Sequence, residues 1–300
     1  MQRINLKCSL APEQIEDRLK YRPHVVELQL FEKDIYEPQR IGEAIQKLRD
    51  NGVKVFLHHP MKVSGKFLDI LSCDPEVYDF YRSSCDLLDQ ICNSEDLFCV
   101  VHPHYEKCES GMADSSDTVR ILERSHALKE AIQEVRSTTH DRFLWENAPK
   151  GIFSSVNRYW ISHIIRPAQL PVCYDISHSF MSCRGDNLKL EQDLSEAFPF
   201  THYYHVVDSA GTEVHDAMCL GAGGIDWSKL KPYILQRDFI FEIDLPDYND
   251  CTPMVQSSAF LKQSNESLLR YWVRELNNTA LYRLHEYASR LLWAYCTSGQ

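Results

Sequence analysis

No apolar run in the chain approaches the roughly 18 residues that suggest a membrane-spanning helix. The first residues, MQRINLKCSLAPEQ, lack the basic start and apolar stretch of a secretory leader. Both absences make a cytoplasmic protein the expectation. The 11 cysteines are odd in number and contain no CxxC pair or regular spacing. Neither a cysteine zinc site nor a disulfide framework is therefore supported, and most cysteines are expected to be small buried apolar residues. No GxGxxG turn follows the first apolar run, and Gly221 to Gly224 come too late and follow no strand directly, which speaks against a doubly wound dinucleotide fold. No Pro/Gly/Ser linker or low-complexity stretch divides the chain, so residues 1–300 are expected to form one domain. Positive charge is also scarce. The net charge of −11 disfavours a broad nucleic-acid surface and gives no attraction to anionic membranes. An anionic ligand would need local help, for example from a metal.

What is present is a repeat. With 44% hydrophobic and 25% charged residues, the chain can bury a large core. Short apolar runs rich in β-branched and aromatic residues occupy 4–10, 24–30, 54–59, 97–104, 142–148, 171–178, 203–209 and 239–245. Segments of helical spacing separate them. In 41–52, Ile41, Ala44, Ile45 and Leu48 share a face and Gly52 stands where a C-cap belongs. Eight strand–helix units in a chain of this length match a (β/α)8 barrel, a fold of about 250 residues. A helical segment at about 261–296, rich in Tyr and Trp, should pack outside the barrel, and a surplus of such surface would suit a homodimer. The polar stretch 105–116 is expected to be a loop able to cover the site.

In such a barrel the active site forms where the strands end, so polar strand ends are the informative positions. The third run ends in His58 and His59, the fourth in His102 and His104, and the fifth in Glu146 and Asn147. The sixth ends in Asp175 and His178, the seventh in His205 and Asp208, and the eighth in Glu242 and Asp244. One His or Asp after a strand is ordinarily a hydrogen-bonded or capping residue. Six together would crowd carboxylates into one ring, where like charges repel unless a cation neutralises them. A bound divalent metal resolves this. The imidazole and carboxylate set suits Mn2+, Zn2+, Co2+ or Fe2+ better than Ca2+, with Mg2+ left open and one ion or more allowed. Arg184, on the loop after the sixth run, is a candidate for a phosphate or carboxylate group. Trp145, Trp227 and Lys150 are expected in structural or solvated roles.

In this order the motifs resemble those of the xylose isomerase-like barrels, which include sugar isomerases and epimerases and the endonuclease IV type of apurinic endonuclease. HHP is similar to the family's HxP with His58 aligned, and VVHPHY to its HPG with His104 in place of the glycine. ENAP resembles EN, YDISH resembles DxxH, HVVDS resembles HxxDS, and LGAGGIDW resembles LGxGxID. The resemblance implies a metal held by Glu146, Asp175, His205 and Glu242, which lie about one β/α unit apart. His58, His102 and His178 would bind a second metal or hold substrate hydroxyls, with Asp208 also beside the substrate.

Two chemistries follow from the resemblance. In a sugar or sugar-phosphate isomerase or epimerase, Glu146 and Glu242 would move a proton on opposite sides of the sugar through an enediolate. In a phosphodiesterase acting on abasic DNA, several metals would activate hydroxide. The nuclease pattern also needs an Asp-x-His before Leu220, where His215 and Ala217 stand, and a lysine where Ala210 stands. These departures favour the small sugar substrate over nucleic acid. Another metal-dependent lyase or hydrolase, or a non-catalytic binding barrel, stays open. If the ring of ligands is real, Mn2+ should raise the melting temperature of the protein, and Glu146→Gln should abolish the rise; no response to Mn2+ in the unaltered protein would contradict it.

Overall fold

A computed structural model describes residues 4–104, 117–212 and 216–263. Each predicted apolar run overlaps one parallel strand, the last two strands starting two and one residues before their runs: β1 Asn5–Cys8, β2 Val25–Gln29, β3 Lys54–His58, β4 Cys99–Val101, β5 Phe143–Glu146, β6 Val172–Asp175, β7 Thr201–Val206 and β8 Asp238–Phe241. They pair in sequence order from β1 to β8. Helices between them include Pro38–Asp50, Pro75–Ser94, Thr118–Thr138, Asn187–Ala197 and Trp227–Ile234. The fold is a nearly closed (β/α)8 barrel within Met1–Leu261. The expected loop at 105–116 and the aromatic segment from 264 onward lie outside the described residues. No helix among the described residues is long and apolar enough to cross a membrane.

Local chemistry explains the element ends. In Pro38–Asp50 the predicted face of Ile41, Ala44, Ile45 and Leu48 is buried, and Gly52 follows the C-cap at φ 74°, a conformation glycine adopts without steric cost. The fourth run yields a strand of only three residues, because Pro103 has no N–H to extend the ladder. The sixth run, expected to continue as strand to residue 178, turns helical at Ile176. Its cause is Asp175, whose Oδ1 accepts the His178 N–H at 2.7 Å and caps helix Ile176–Ser182.

Because side chains alternate across a strand, every second residue faces the barrel interior. Val25, Phe56, Val100, Leu144, Cys173, Tyr203 and Ile240 form one buried apolar cluster. Two residues further along the same strands stand Glu27, His58, His102, Glu146, Asp175, His205 and Glu242. An apolar plug thus supports a polar layer, the layered filling that barrels of this kind show.

The sheet is not stitched by backbone pairing between β1 and β8, although the two lie side by side. Side chains bridge this seam. Lys7 on β1 reaches Glu242 just beyond β8 at 2.5 Å. Arg18, with no exposed surface, donates from Nε to the Lys7 carbonyl and from a terminal nitrogen to the Tyr248 carbonyl, at 3.1 and 2.6 Å. It also pairs with Asp17, which accepts the Cys251 N–H. Removing one partner of a buried ion pair costs about 3–5 kcal/mol, so Arg18→Met should lose that much stability in urea unfolding. A loss below about 1 kcal/mol, the scale of an exposed pair, would show that the seam does not depend on it.

Candidate metal centre

The polar layer converges on Glu146. His205 Nδ1 lies 3.0 Å from Glu146 Oε1, 2.5 Å from Glu242 Oε2 and 3.8 Å from Asp175 Oδ2. His58 Nε2 and His102 Nε2 lie 3.1 and 3.0 Å from Glu146 Oε2. One ligand atom from each of His58, Glu146, His205 and Glu242 falls within 4.8 Å of the others, and Glu146, Asp175 and His178 form a second such group. The expected ligands Glu146, Asp175, His205 and Glu242 are therefore brought together, with His58, His102 and His178 around them.

Nearby acceptors set the tautomers. His205 Nε2 lies 2.9 Å from Glu27 Oε2, His58 Nδ1 lies 2.9 Å from the His59 carbonyl, and His178 Nδ1 lies 2.7 Å from the Asn147 carbonyl. A neutral imidazole has one N–H, so each ring donates outward and keeps its lone pair on the other nitrogen. For His205 and His58 that nitrogen faces carboxylate oxygens. Glu242 Oε2, buried, faces that same His205 nitrogen at 2.5 Å. Lone pairs opposed to carboxylates in a buried site require either a proton or a cation between them. The donor set fits a divalent cation, with outward hydrogen bonds orienting the imidazoles as in protein metal sites.

The same field shifts the ionisations. Burial works against charge on His205, but Cys173, Glu146, Glu242 and Glu27 outweigh it and raise its pKa well above the ordinary imidazole value. Burial likewise opposes ionisation of Glu146, and His102 and His205 overcome it, holding the carboxyl well below its usual range. Burial pushes His102 down to about 3, although Glu146 pulls the other way.

Two members of the layer escaped the sequence reading. Lys7 and Glu27 face each other across β1 and β2, 2.9 Å apart and both buried. Their signal was a charged residue inside an otherwise apolar run, INLKCSL and VVELQL. Burial opposes charge on Glu27, yet His205 and Lys7 bring its pKa down to about 2.

The remaining candidates sit apart from the cluster. His59 points to the opposite face of β3, where Nε2 lies 2.8 Å from the Ser84 hydroxyl; burial holds it neutral, with a pKa of about 3. His104 contacts Asp69 at 2.8 Å. Asp208 accepts from the backbone N–H of Ser209, Gly221 and Ile225 and from Trp227 Nε1. Its carboxylate thereby folds the LGAGGIDW loop, and Gly223 packs so tightly there that a Cβ would lie 2.3 Å from the Ser209 carbonyl oxygen. Asp216 is tied to the Ser209 hydroxyl and the Ala210 N–H, while His215 lies outside the described residues. Arg184 is exposed and follows helix Ile176–Ser182. Asn147 clamps the Asp175 backbone, accepting its N–H and donating to its carbonyl. Trp145 is fully buried and Lys150 exposed, as expected. Cys8, Cys85, Cys92, Cys99, Cys173, Cys183 and Cys251 are buried free thiols.

Solved structures share this arrangement of strands and helices. A D-tagatose 3-epimerase-like protein superposes with a TM-score of 0.66 at 15% identity, over 89% of this chain and 98% of its own. The fold is that of the xylose isomerase-like barrels. A xylose isomerase domain protein from Planctomyces limnophilus matches at a TM-score of 0.59 and 11% identity, covering 89% of this chain and 98% of that one. A 3-keto-D-glucoside 4-epimerase from E. coli matches at 0.58 and 14%, covering 87% and 99%. No family model and no curated protein matches the sequence.

Glu27 gives this centre a direct test. Loss of an outer hydrogen-bond partner of a ligating histidine typically lowers metal affinity about 10–100-fold. Glu27→Gln should weaken Mn2+ binding by that factor in calorimetric titration, and unchanged affinity would contradict the orientation described for His205.

Proposed function

We propose that the protein is a divalent-metal-dependent epimerase or isomerase of a sugar or sugar phosphate. The observation that carries this reading is the meeting of Glu146 and Glu242 at one imidazole nitrogen, His205 Nδ1, at 3.0 and 2.5 Å. Sugar-active neighbours of the same fold support it. Glu146, Asp175, His205 and Glu242 would hold the metal, which would polarise adjacent substrate oxygens and acidify the carbon between them.

The protein's own groups do the rest. Glu242 is the most open of the four, with 30% of its side chain exposed, so it meets substrate first. Its carboxylate accepts the proton from the sugar carbon. Lys7, 2.5 Å from Glu242 Oε1, keeps that carboxylate ionised beforehand and lies at the edge of the substrate cavity. For epimerisation Glu146, protonated from solvent, would return a proton on the other side of the carbon, and the proton taken by Glu242 would leave to solvent. His58, His102 and His178 supply imidazole nitrogens for the remaining hydroxyls. Asp216, which lies between the two positions where a nuclease would need its Asp and His, is bound to its own loop.

Removing a positioned general acid or base costs about 10²- to 10⁴-fold in rate. Incubation with a panel of ketoses and sugar phosphates in heavy water should introduce deuterium at one sugar carbon, and Glu242→Gln should reduce that exchange by the same factor. Cleavage of an abasic oligonucleotide without any sugar exchange would overturn the proposal.

A further inference from the structure

Next to the centre lies a cavity of about 880 Å³, opening where β1, β2 and β8 end. Sites for drug-sized ligands occupy about 300–1,000 Å³, so this volume exceeds what one monosaccharide ring fills. Its lining changes character with depth. Lys7 and Glu242 stand innermost, with side chains 9% and 30% exposed. Phe31, Tyr36 and Tyr248 stand at the outside, 50%, 67% and 53% exposed. Isolated exposed apolar residues need no explanation, but a cluster of them around a polar floor marks a binding surface.

The backbone that carries these rings is tied to the fold rather than slack. The Phe31 N–H bonds Asp34 at the start of helix Glu32–Ile35. Tyr36 meets Phe80 edge-on with centroids 6.1 Å apart. The Tyr248 carbonyl accepts from the buried Arg18. Across the cavity Phe67, in the hairpin of Lys62–Val63 and Lys66–Phe67, has the Lys62 ammonium 4.5 Å from its ring centre. Aromatic side chains on anchored backbone favour a flat apolar partner, because stacking then costs little ordering of the main chain.

We propose that the ligand is a sugar joined to an apolar ring, a glycoside whose sugar lies against Lys7 and Glu242 and whose aglycone lies among Phe31, Tyr36 and Tyr248. This inference rests on the sugar-epimerase reading and narrows it. A glycosidic bond locks the anomeric carbon as an acetal, so the carbonyl that acidifies the exchanged C–H is a ring ketone. The reaction is then removal and return of one proton beside that ketone, with no net oxidation.

The test compares methyl and phenyl β-glycosides of glucose, galactose, mannose and xylose by calorimetry on the full-length protein with Mn2+. For at least one sugar the phenyl glycoside should bind about tenfold more tightly than the methyl glycoside, the gain of stacking one ring on aromatic walls. Phe31→Ala and Tyr248→Ala should each shrink that ratio; each variant's melting curve shows whether it folds, and either one carries the test alone. No phenyl preference for any sugar, or a preference that survives both substitutions, overturns the proposal. Failure of the epimerase reading shows separately, as absent deuterium exchange into the ring-ketone form of the preferred phenyl glycoside alongside an intact phenyl preference.

Discussion

The centre of this barrel depends on one constraint: His205 cannot satisfy both of its sides with one proton. Its Nε2 faces the buried Glu27, and its Nδ1 faces Glu146, Glu242 and Asp175. Several carboxylates within a few ångströms of each other, shielded from water, are tolerable only with compensating positive charge. Lys7 supplies part of it from β1. A proton on His205 supplies more, and a divalent cation seated among the ligands would take over that role and release the proton. Charge balance, donor geometry and tautomer all point to the same occupant.

The rest of the fold presents this layer at the required depth. Alternation along eight strands sets the apolar cluster of Phe56, Tyr203 and their neighbours directly beneath the polar residues. Asn147 and Asp175 add local fixation, since Asn147 grips the strand end and Asp175 caps the following helix with one oxygen while leaving the other toward His205. A single residue thus ends a strand, starts a helix and serves the centre. At the seam between β1 and β8, where backbone pairing is missing, Lys7 and Arg18 join the strands and tie Tyr248 to the barrel. The same charged residues that close the barrel shape the aromatic cavity beside the site.

Much of this was legible in the sequence, for reasons of period and position. Six of the eight strands fall within the apolar runs and the other two begin one or two residues before theirs, while the strand-end residues Glu146, Asp175, His205 and Glu242 converge in two groups that share Glu146. His58 was separable from His59 only through the family resemblance; the structure adds the physical reason, since neighbours on a strand face opposite ways. Lys7 and Glu27 were not seen as site residues because they lie inside strands, where a lone charge reads as an edge residue until its partner on the neighbouring strand is known. Asp208 illustrates the converse. Its motif suggested a substrate ligand, whereas its carboxylate receives four donors from its own loop, a commitment that only three-dimensional placement displays. His178 lies one helical turn beyond Asp175 for the same kind of reason, a side-chain cap that outcompetes strand continuation.

The most direct measurement of the central claim is anomalous diffraction from crystals of the protein grown with Mn2+. The account predicts a strong anomalous peak bounded by Glu146, Asp175, His205 and Glu242, within coordination distance of His205 Nδ1. Crystals that show the same four side chains ordered and in mutual contact, with no anomalous peak between them, would contradict it.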